Sequence, residues 1–494
     1  MKTLNQTLLS TLPSSVDKPE YDRSQVKAGI VHIGVGGFHR AHQAMYTNEL
    51  LKQPGNENWG ICGVGLLEAN RKLSEVLKKQ DYLYTLLVRH SNGKIDTKII
   101  GSMVDFIFAP ANKQAVIDKL ISDDTRIVSL TVTEGGYNQD SETGELDIKH
   151  ADIQHDINYP DDPKTFYGYI TAALKARRAM GKKAFTVQSC DNIQHNGSVT
   201  KSLLLTFIAQ SDVELAEWVK NNVAFPNAMV DRITPVTTPA DIDAVEKLLG
   251  YQDEWPITCE SFSQWVIEDE FSDGRPNWDA VSAQFVPDVT PYETMKIRLL
   301  NAGHSVLGLL GSIHGYQTID ETVSDPLFAK YLRAFMDEEV TPVLAPVEGI
   351  DLEEYKDALL ARFANPNIKD ALSRICSETS AKLPKFLIST INENLAEGRS
   401  AKLSTLVVAA WCYYSDKQTS ENGEALTIID AMQDKLHHAA QGTVTDSLSF
   451  LKVKTVFGNL SDKPNFTETY QQAIKDLYLS DDKIKTIMQN WLAK

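Results

Sequence analysis

The stretch Glu293-Thr294-Met295-Lys296-Ile297-Arg298-Leu299-Leu300-Asn301-Ala302-Gly303-His304 carries an amine, a carboxamide and an imidazole in one short segment. On a helix turning about 100° per residue, Lys296, His304 and Asn301 fall at about 0°, 80° and 140°, within one arc that can face a single ligand. Leu299 and Leu300 flank them, and Val306, Leu307, Leu309 and Leu310 follow, so the helix is apolar round much of its circumference and is expected to pack deeply. In such a place the ammonium form of a lysine is disfavoured, which moves it toward the range of roughly 7–8 useful for proton transfer. A carboxamide can donate to an alkoxide as charge develops, and an imidazole can hold a substrate oxygen in line. A purely structural reading stands beside this one: Lys296 snorkels, Asn301 bonds backbone and His304 is a satisfied core histidine.

A second chemical segment is Ser189-Cys190-Asp191-Asn192, after a strand predicted over 184–189. Open α/β sheets bind ligands beyond the carboxyl ends of their strands, which puts Asn192 in the right zone; an Asx turn accounts for it as well. Glu134-Gly135-Gly136 follows the predicted strand 127–133 in the same way. Near the chain start, Gly34-Val35-Gly36-Gly37-Phe38-His39 begins like a dinucleotide fingerprint. One glycine permits the tight turn and the next lets the backbone approach a pyrophosphate at a helix start. The third glycine is missing, because His39 stands there, and a structural strand-to-helix turn remains open as the alternative. The acid expected on the ribose hydroxyls is Glu68, followed by Ala69 and Asn70. Arg71 and Lys72 can attract a 2′-phosphate, which leaves NAD and NADP both open. His39, Arg40 and His42 read as helix-start residues that orient the loop or face solvent, with direct chemistry open as the alternative.

The elements that must hold these groups divide the chain. Strand signals at 29–33, 59–65, 82–89, 98–102, 127–133 and 184–189 alternate with helical spacing at 41–52, 113–121 and 167–180, so an α/β domain with a parallel sheet is expected over 1–286. Beyond Val286-Pro287-Asp288-Val289-Thr290-Pro291, strand signals nearly vanish. Amphipathic segments at 293–313, 326–336, 352–363, 368–376, 383–396, 401–414 and 466–492 predict a predominantly helical domain over 287–494. Two unlike halves make a cleft between them the default site.

Composition removes several classes. The 494 residues carry 66 acidic against 49 basic side chains, a net charge of -17 that opposes nucleic acid and anionic lipid. Five scattered cysteines form no CxxC pair and read as reduced core thiols. The histidines 32, 39 and 42 match no usual zinc spacing, no HExxH occurs, and Leu307 spoils a GxSxG elbow after Gly303. No secretory or membrane-spanning apolar run is found, so the expected address is the cytosol.

Five blocks, GIVHIGVGGFHRAHQ, SLTVTEGGY, SCDNIQHNG, FPNAMVDRITP and KIRLLNAGHS, resemble the polyol-specific long-chain dehydrogenase/reductases, the mannitol-oxidising branch most closely. The likeness runs through nearly the whole chain in the same order. It implies a Rossmann-type N-terminal domain, a helical C-terminal domain and zinc-independent hydride transfer between D-mannitol, D-fructose and a nicotinamide cofactor. Lys296 is then the general acid/base, Asn192 and Asn301 stabilise the alkoxide, His304 orients substrate, and Glu293 relays protons. Asp231, Arg374 and Lys382 match residues that hold polyol hydroxyls. Gly34, Gly36, Gly37, Phe38, Glu68, Ala69, Asn70 and Glu134 are the expected cofactor contacts. NAD-preferring relatives have an acidic pair where this chain offers Glu68 alone, so at least partial use of NADP(H) is expected. Fructuronate reductase, whose substrate carries a carboxylate, is the nearest alternative, and a silent nucleotide-binding protein the remote one. The resemblance permits a monomer or a small homo-oligomer.

Overall fold

The computed structural model describes residues 2–140 and 143–494 and resolves two compact units, Met1–His90 with Lys94–Thr290 and Pro291–Lys494 with Ser91–Gly93. The strands in chain order are β1 Ala28–Ile33, β2 Gly60–Gly65, β3 Tyr84–Arg89, β4 Ile95–Ile100, β5 Met103–Phe108, β6 Ile127–Leu130, β7 Thr186–Ser189, β8 Ala228–Asp231, β9 Ile257–Glu260, β10 Gln264–Glu268 and β11 Gln284–Val286. In the first unit, β5-β2-β1-β6-β7 form a parallel sheet.

Strands of a parallel sheet covered on both faces read as unbroken apolar runs, and every residue of β1, β2, β6 and β7 is buried. Alternate side chains feed opposite cores. Val31, Ile33, Cys62 and Val64 join one with the helices Lys113–Ile121 and Phe166–Ala179, while Ile30 and Ile61 join the other with Tyr46, Leu50, Leu73 and Leu77.

The segments expected as parallel strands at 82–89 and 98–102 instead form an antiparallel hairpin, β3 with β4, in a separate sheet ordered β4-β3-β9. A parallel pair needs a long crossover, whereas the short loop after His90 suffices for an antiparallel one. The expected strand at 127–133 ends at Leu130, because Thr133 adopts φ +61 and opens the helical turn Thr133–Gly136. Edge strand β5 and the third sheet, β11-β10-β8, had no clear periodic signal.

The second unit is helical. Its centre is one continuous stretch made of the helix Thr290–Lys296, a π-helical turn Ile297–Asn301 and the helix Ala302–His314, which is buried on almost every side. Gly308 and Gly311 let neighbours close in: a Cβ there would stand 2.8 Å from Cys376 Sγ and 2.6 Å from Thr322 Oγ1. The expected helix over 368–376 shrinks to Leu372–Ile375, since Lys369 sits at φ +49. The expected 383–396 segment begins earlier, at Thr379, and passes through a π turn at Pro384–Ile388, where the proline lacks the amide that an α-helical bond needs. The long segment 466–492 is two helices, Pro464–Tyr478 and Ile484–Ala493, broken where the polar run Ser480-Asp481-Asp482 offers nothing to bury.

Candidate active site

The glycine turn follows β1 directly. Gly34 has φ +95, and a Cβ on it would lie 2.2 Å from the Thr131 carbonyl oxygen, so only glycine fits between β1 and β6. Gly36 caps the helix Gly37–Ala41 in extended conformation, and a Cβ there would meet nothing nearer than the Gly34 oxygen at 3.8 Å. That open space above half-buried backbone at a helix start is what a pyrophosphate requires, so this turn fits the group. Phe38 closes the turn, stacked on His42 at 4.8 Å.

The departure from the glycine fingerprint has a physical substitute. The third glycine normally permits close helix–strand packing; here the flat rings of His39 and His32 stack at 3.4 Å and 11°. His32 is held by Ser129 Oγ on Nδ1 and Thr131 Oγ1 on Nε2, both at 2.8 Å. Thr131 spends its hydroxyl hydrogen on the Gly34 carbonyl at 2.7 Å, so His32 Nε2 is the donor in that contact. Burial pushes His32 down to about 3, which disfavours its charged form. Of the two readings of His39, Arg40 and His42, orienting the loop or facing solvent, the second is overturned: all three are buried. They orient the loop, Arg40 Nη1 donating to Trp255 O at 2.8 Å and His42 Nε2 meeting Gln264 O at 3.0 Å.

Beyond β2, Glu68, Ala69 and Asn70 form a single 3₁₀ turn. Glu68 and Ala69 are exposed. Asn70 instead turns inward, its Oδ1 accepting from Leu67 N at 3.0 Å. Arg71, expected to reach for a 2′-phosphate, grips both Glu68 oxygens at 2.5 and 3.0 Å and lies over the Phe108 ring at 4.7 Å. Lys72 lies over Trp255 at 5.5 Å.

Asn192 and Glu134 stand exposed after β7 and β6. Asp191, which the spacing arguments passed over, ties the two loops together. Its buried carboxylate accepts from Val132 N at 3.0 Å, Thr133 N at 2.9 Å and Tyr137 O–H at 2.9 Å. Burial nevertheless raises it to about 6. Its position beside Asn192 was the only available signal. Asp231 ends β8 and is buried, in the sheet with β10 rather than in the parallel one.

In the second unit, Glu293, Lys296 and Asn301 are all buried, at 4%, 6% and 8% exposure. They do not keep the arc expected of a regular helix. The turn between them is closed by an i→i+5 bond, Ala302 N to Ile297 O, and in such a widened turn residue i+5 lies nearer to residue i than the about 140° of an α-helix. Asn301 is thereby carried toward the Lys296 side of the helix. His304 is half-buried on the next turn, its ring 4.5 Å from that of Phe363. Arg298 points elsewhere, forking onto Glu393 at 2.6 and 2.5 Å. Arg374 and Lys382 lie on the segment that packs against this helix at Gly308; Lys382 Nζ donates to Ile375 O at 3.3 Å, and Arg374 forks onto Asp370.

Two family models cover most of the chain: a mannitol dehydrogenase Rossmann domain over residues 28–280 and a mannitol dehydrogenase C-terminal domain over 288–478. The chain belongs to the mannitol dehydrogenase family. Similar relatives include a mannitol 2-dehydrogenase of Phaeosphaeria nodorum, 43% identical over 96% of this chain and 83% of that one. A mannitol 2-dehydrogenase of Aspergillus fumigatus is 42% identical over 98% of each. Among solved structures, the Pseudomonas fluorescens mannitol 2-dehydrogenase in ternary complex with NAD and D-mannitol is 47% identical with a TM-score of 0.88, covering 100% of both chains. A substrate-free D-sorbitol dehydrogenase is 35% identical with a TM-score of 0.91, over 99% of this chain and 100% of that one. Among the described residues, no cluster of three or more His, Cys, Asp or Glu is arranged to hold a metal, and no helix is long and apolar enough to cross a membrane.

Proposed function

We propose that this protein is an NAD(H)-dependent, zinc-independent dehydrogenase that interconverts D-mannitol and D-fructose in the cytoplasm, as a monomer or small homo-oligomer, with secondary use of NADP(H). Residues 1–286 bind the dinucleotide and residues 287–494 carry most of the substrate and proton-transfer groups. The observation that carries this reading is a buried carboxylate, amine and carboxamide, Glu293, Lys296 and Asn301, gathered on one π-distorted helix of a family member. Burying such groups is costly, which argues that their place on an apolar helix serves the chemistry, and irregular helical turns of this kind are frequent at functional sites.

The backbone of Gly34, Gly36, Gly37 and Phe38 holds the pyrophosphate, Glu68 with Ala69 and Asn70 receives the ribose, and Glu134 borders the nicotinamide end. When bound, the nicotinamide accepts or supplies the hydride at substrate C2. In oxidation, neutral Lys296 Nζ takes the C2 hydroxyl proton; in ketose reduction it returns a proton to the same oxygen. Glu293 passes that proton between Lys296 and solvent. Asn192 and Asn301 donate amide N–H groups to the oxygen while it carries negative charge, which stabilises the transition state more than the ground state. His304 orients that oxygen, and Asp231, Arg374 and Lys382 hold the remaining hydroxyls.

The test is a panel on the purified protein: D-mannitol, D-fructose, D-sorbitol and D-arabinitol with NAD(H) and NADP(H), before and after dialysis against a chelator. Turnover of mannitol and fructose that survives chelation is expected. Absence of turnover with all four sugars, or its loss on chelation, defeats the proposal.

A further inference from the structure

Asp370 and Arg374 stand four residues apart, and the arginine's Nε and Nη2 both meet the two oxygens of the aspartate, Nε at 2.5 Å. Exposed ion pairs of this spacing are ordinarily weak and mobile. This one differs because its anion is fixed. Asp370 is 7% exposed, its carbonyl accepts from Ile319 N at 3.0 Å, and the next residues are pinned by an Ala371–Thr318 bridge and by Leu372 N to Gln317 O at 2.9 Å. The main chain that carries the carboxylate is therefore held in place independently of Arg374. Arg374 itself is 64% exposed, and the pair engages its Nε and Nη2, leaving Nη1 outside it.

A guanidinium offers five N–H donors on a rigid plane. With the Nε–Nη2 edge taken by a carboxylate, the remaining edge still donates, but the pair as a whole is neutral. A hydroxyl needs only the donor. A carboxylate needs the charge as well, and here it would be the second anion on one guanidinium. We propose that Asp370 sets the charge class of the substrate: by neutralising Arg374 it makes the site accept an uncharged polyol or ketose and discriminate against a sugar acid of the same length. Asp370 acts through Arg374 and is a positioning residue. The inference rests on the reading of Arg374 as a substrate-holding group given above, and it removes one of the two cations on which a fructuronate-reducing activity would depend.

The experiment measures kcat/KM for D-fructose and D-fructuronate with NADH. Wild-type protein should favour D-fructose. Asp370→Asn and Asp370→Ser should each raise the fructuronate-to-fructose ratio by about tenfold or more, the range of one charge-assisted hydrogen bond. Adding Arg374→Gln to Asp370→Asn should abolish that gain. A readout that needs no variant is inhibition of fructose reduction: D-mannonate, which carries a carboxylate in place of a terminal hydroxymethyl, should inhibit wild-type protein less than D-mannitol does. An unchanged ratio in the folded variants, stronger inhibition by mannonate, or wild-type preference for fructuronate overturns the inference. If wild-type protein reduces neither sugar, the proposed activity itself falls and takes this inference with it.

Discussion

The glycine turn offers a test in which folding and binding separate, because its two key glycines are needed for different reasons. Gly34→Ala places a Cβ 2.2 Å from the Thr131 carbonyl oxygen on a backbone at φ +95. Left-handed backbone alone costs roughly 1–2 kcal/mol for a residue with a side chain, and the overlap must be relieved by shifting β1 against β6, so a loss of at least about 2 kcal/mol is expected. Gly36→Ala is sterically silent in the protein itself, since its backbone is extended, at φ -124, and its Cβ meets nothing closer than 3.8 Å. Its stability should change by no more than about 1 kcal/mol, with the sign favouring alanine because the unfolded chain loses freedom. The added methyl instead occupies the approach to the amides that should face the pyrophosphate. Losing hydrogen bonds to a charged group of about 1.5–3 kcal/mol corresponds to roughly 10- to 150-fold in Kd. Thermal melting without ligand, paired with calorimetric titration of NAD, reads both quantities on each variant. A Gly36→Ala protein that binds NAD as tightly as wild type would refute the cradle, and one that melts as low as Gly34→Ala would refute the steric argument.

The remaining expectations concern proton transfer, cofactor choice and pH. Lys296→Ala should lower kcat about 10²–10⁴-fold while NAD binding measured by titration stays within a few-fold, and unchanged kcat would remove the proposed base. Glu68→Ala should release Arg71 toward a 2′-phosphate and raise the NADPH-to-NADH ratio of kcat/KM by about tenfold or more; a ratio that stays put means that the ribose lies elsewhere. Burial pushes Glu339 up from 4.5 to about 7 even though it accepts from Leu403 N at 2.6 Å and Ser404 N at 2.9 Å. For an acid raised in the folded state, the stabilisation is present below its unfolded value and is lost as pH climbs through the folded one. Unfolding free energy should therefore fall between about pH 4.5 and 7, by at most on the order of 3 kcal/mol from this residue. Glu339→Gln should flatten that part of the curve, and an unaltered pH profile in denaturant titrations would show that the group does not titrate there.

The chain's pattern alone determined the α/β start, the helical end and the family, because unbroken apolar strands, a glycine turn and several long motif blocks are local in the sequence. It also picked out Lys296, Asn301 and His304, since a polar group inside an apolar helix is visible as a break in periodicity. Tertiary structure decided what local patterns do not encode. The π turn that swings Asn301 toward the Lys296 side depends on how the surrounding helices pack, not on helical spacing. That segments expected to be parallel strands, β3 and β4, pair antiparallel is settled by which partner lies alongside, and β9 arrives from far along the chain. Asp191 reaches back across some sixty residues to pin Val132 and Thr133, a contact with no sequence spacing to betray it. Asp370 and Arg374 are the intermediate case: their i,i+4 spacing was legible, but only the backbone pairing with 317–319 turns an ordinary surface pair into a fixed one. Side-chain chemistry is written residue by residue, whereas the field each group feels is set by neighbours that the fold brings from elsewhere.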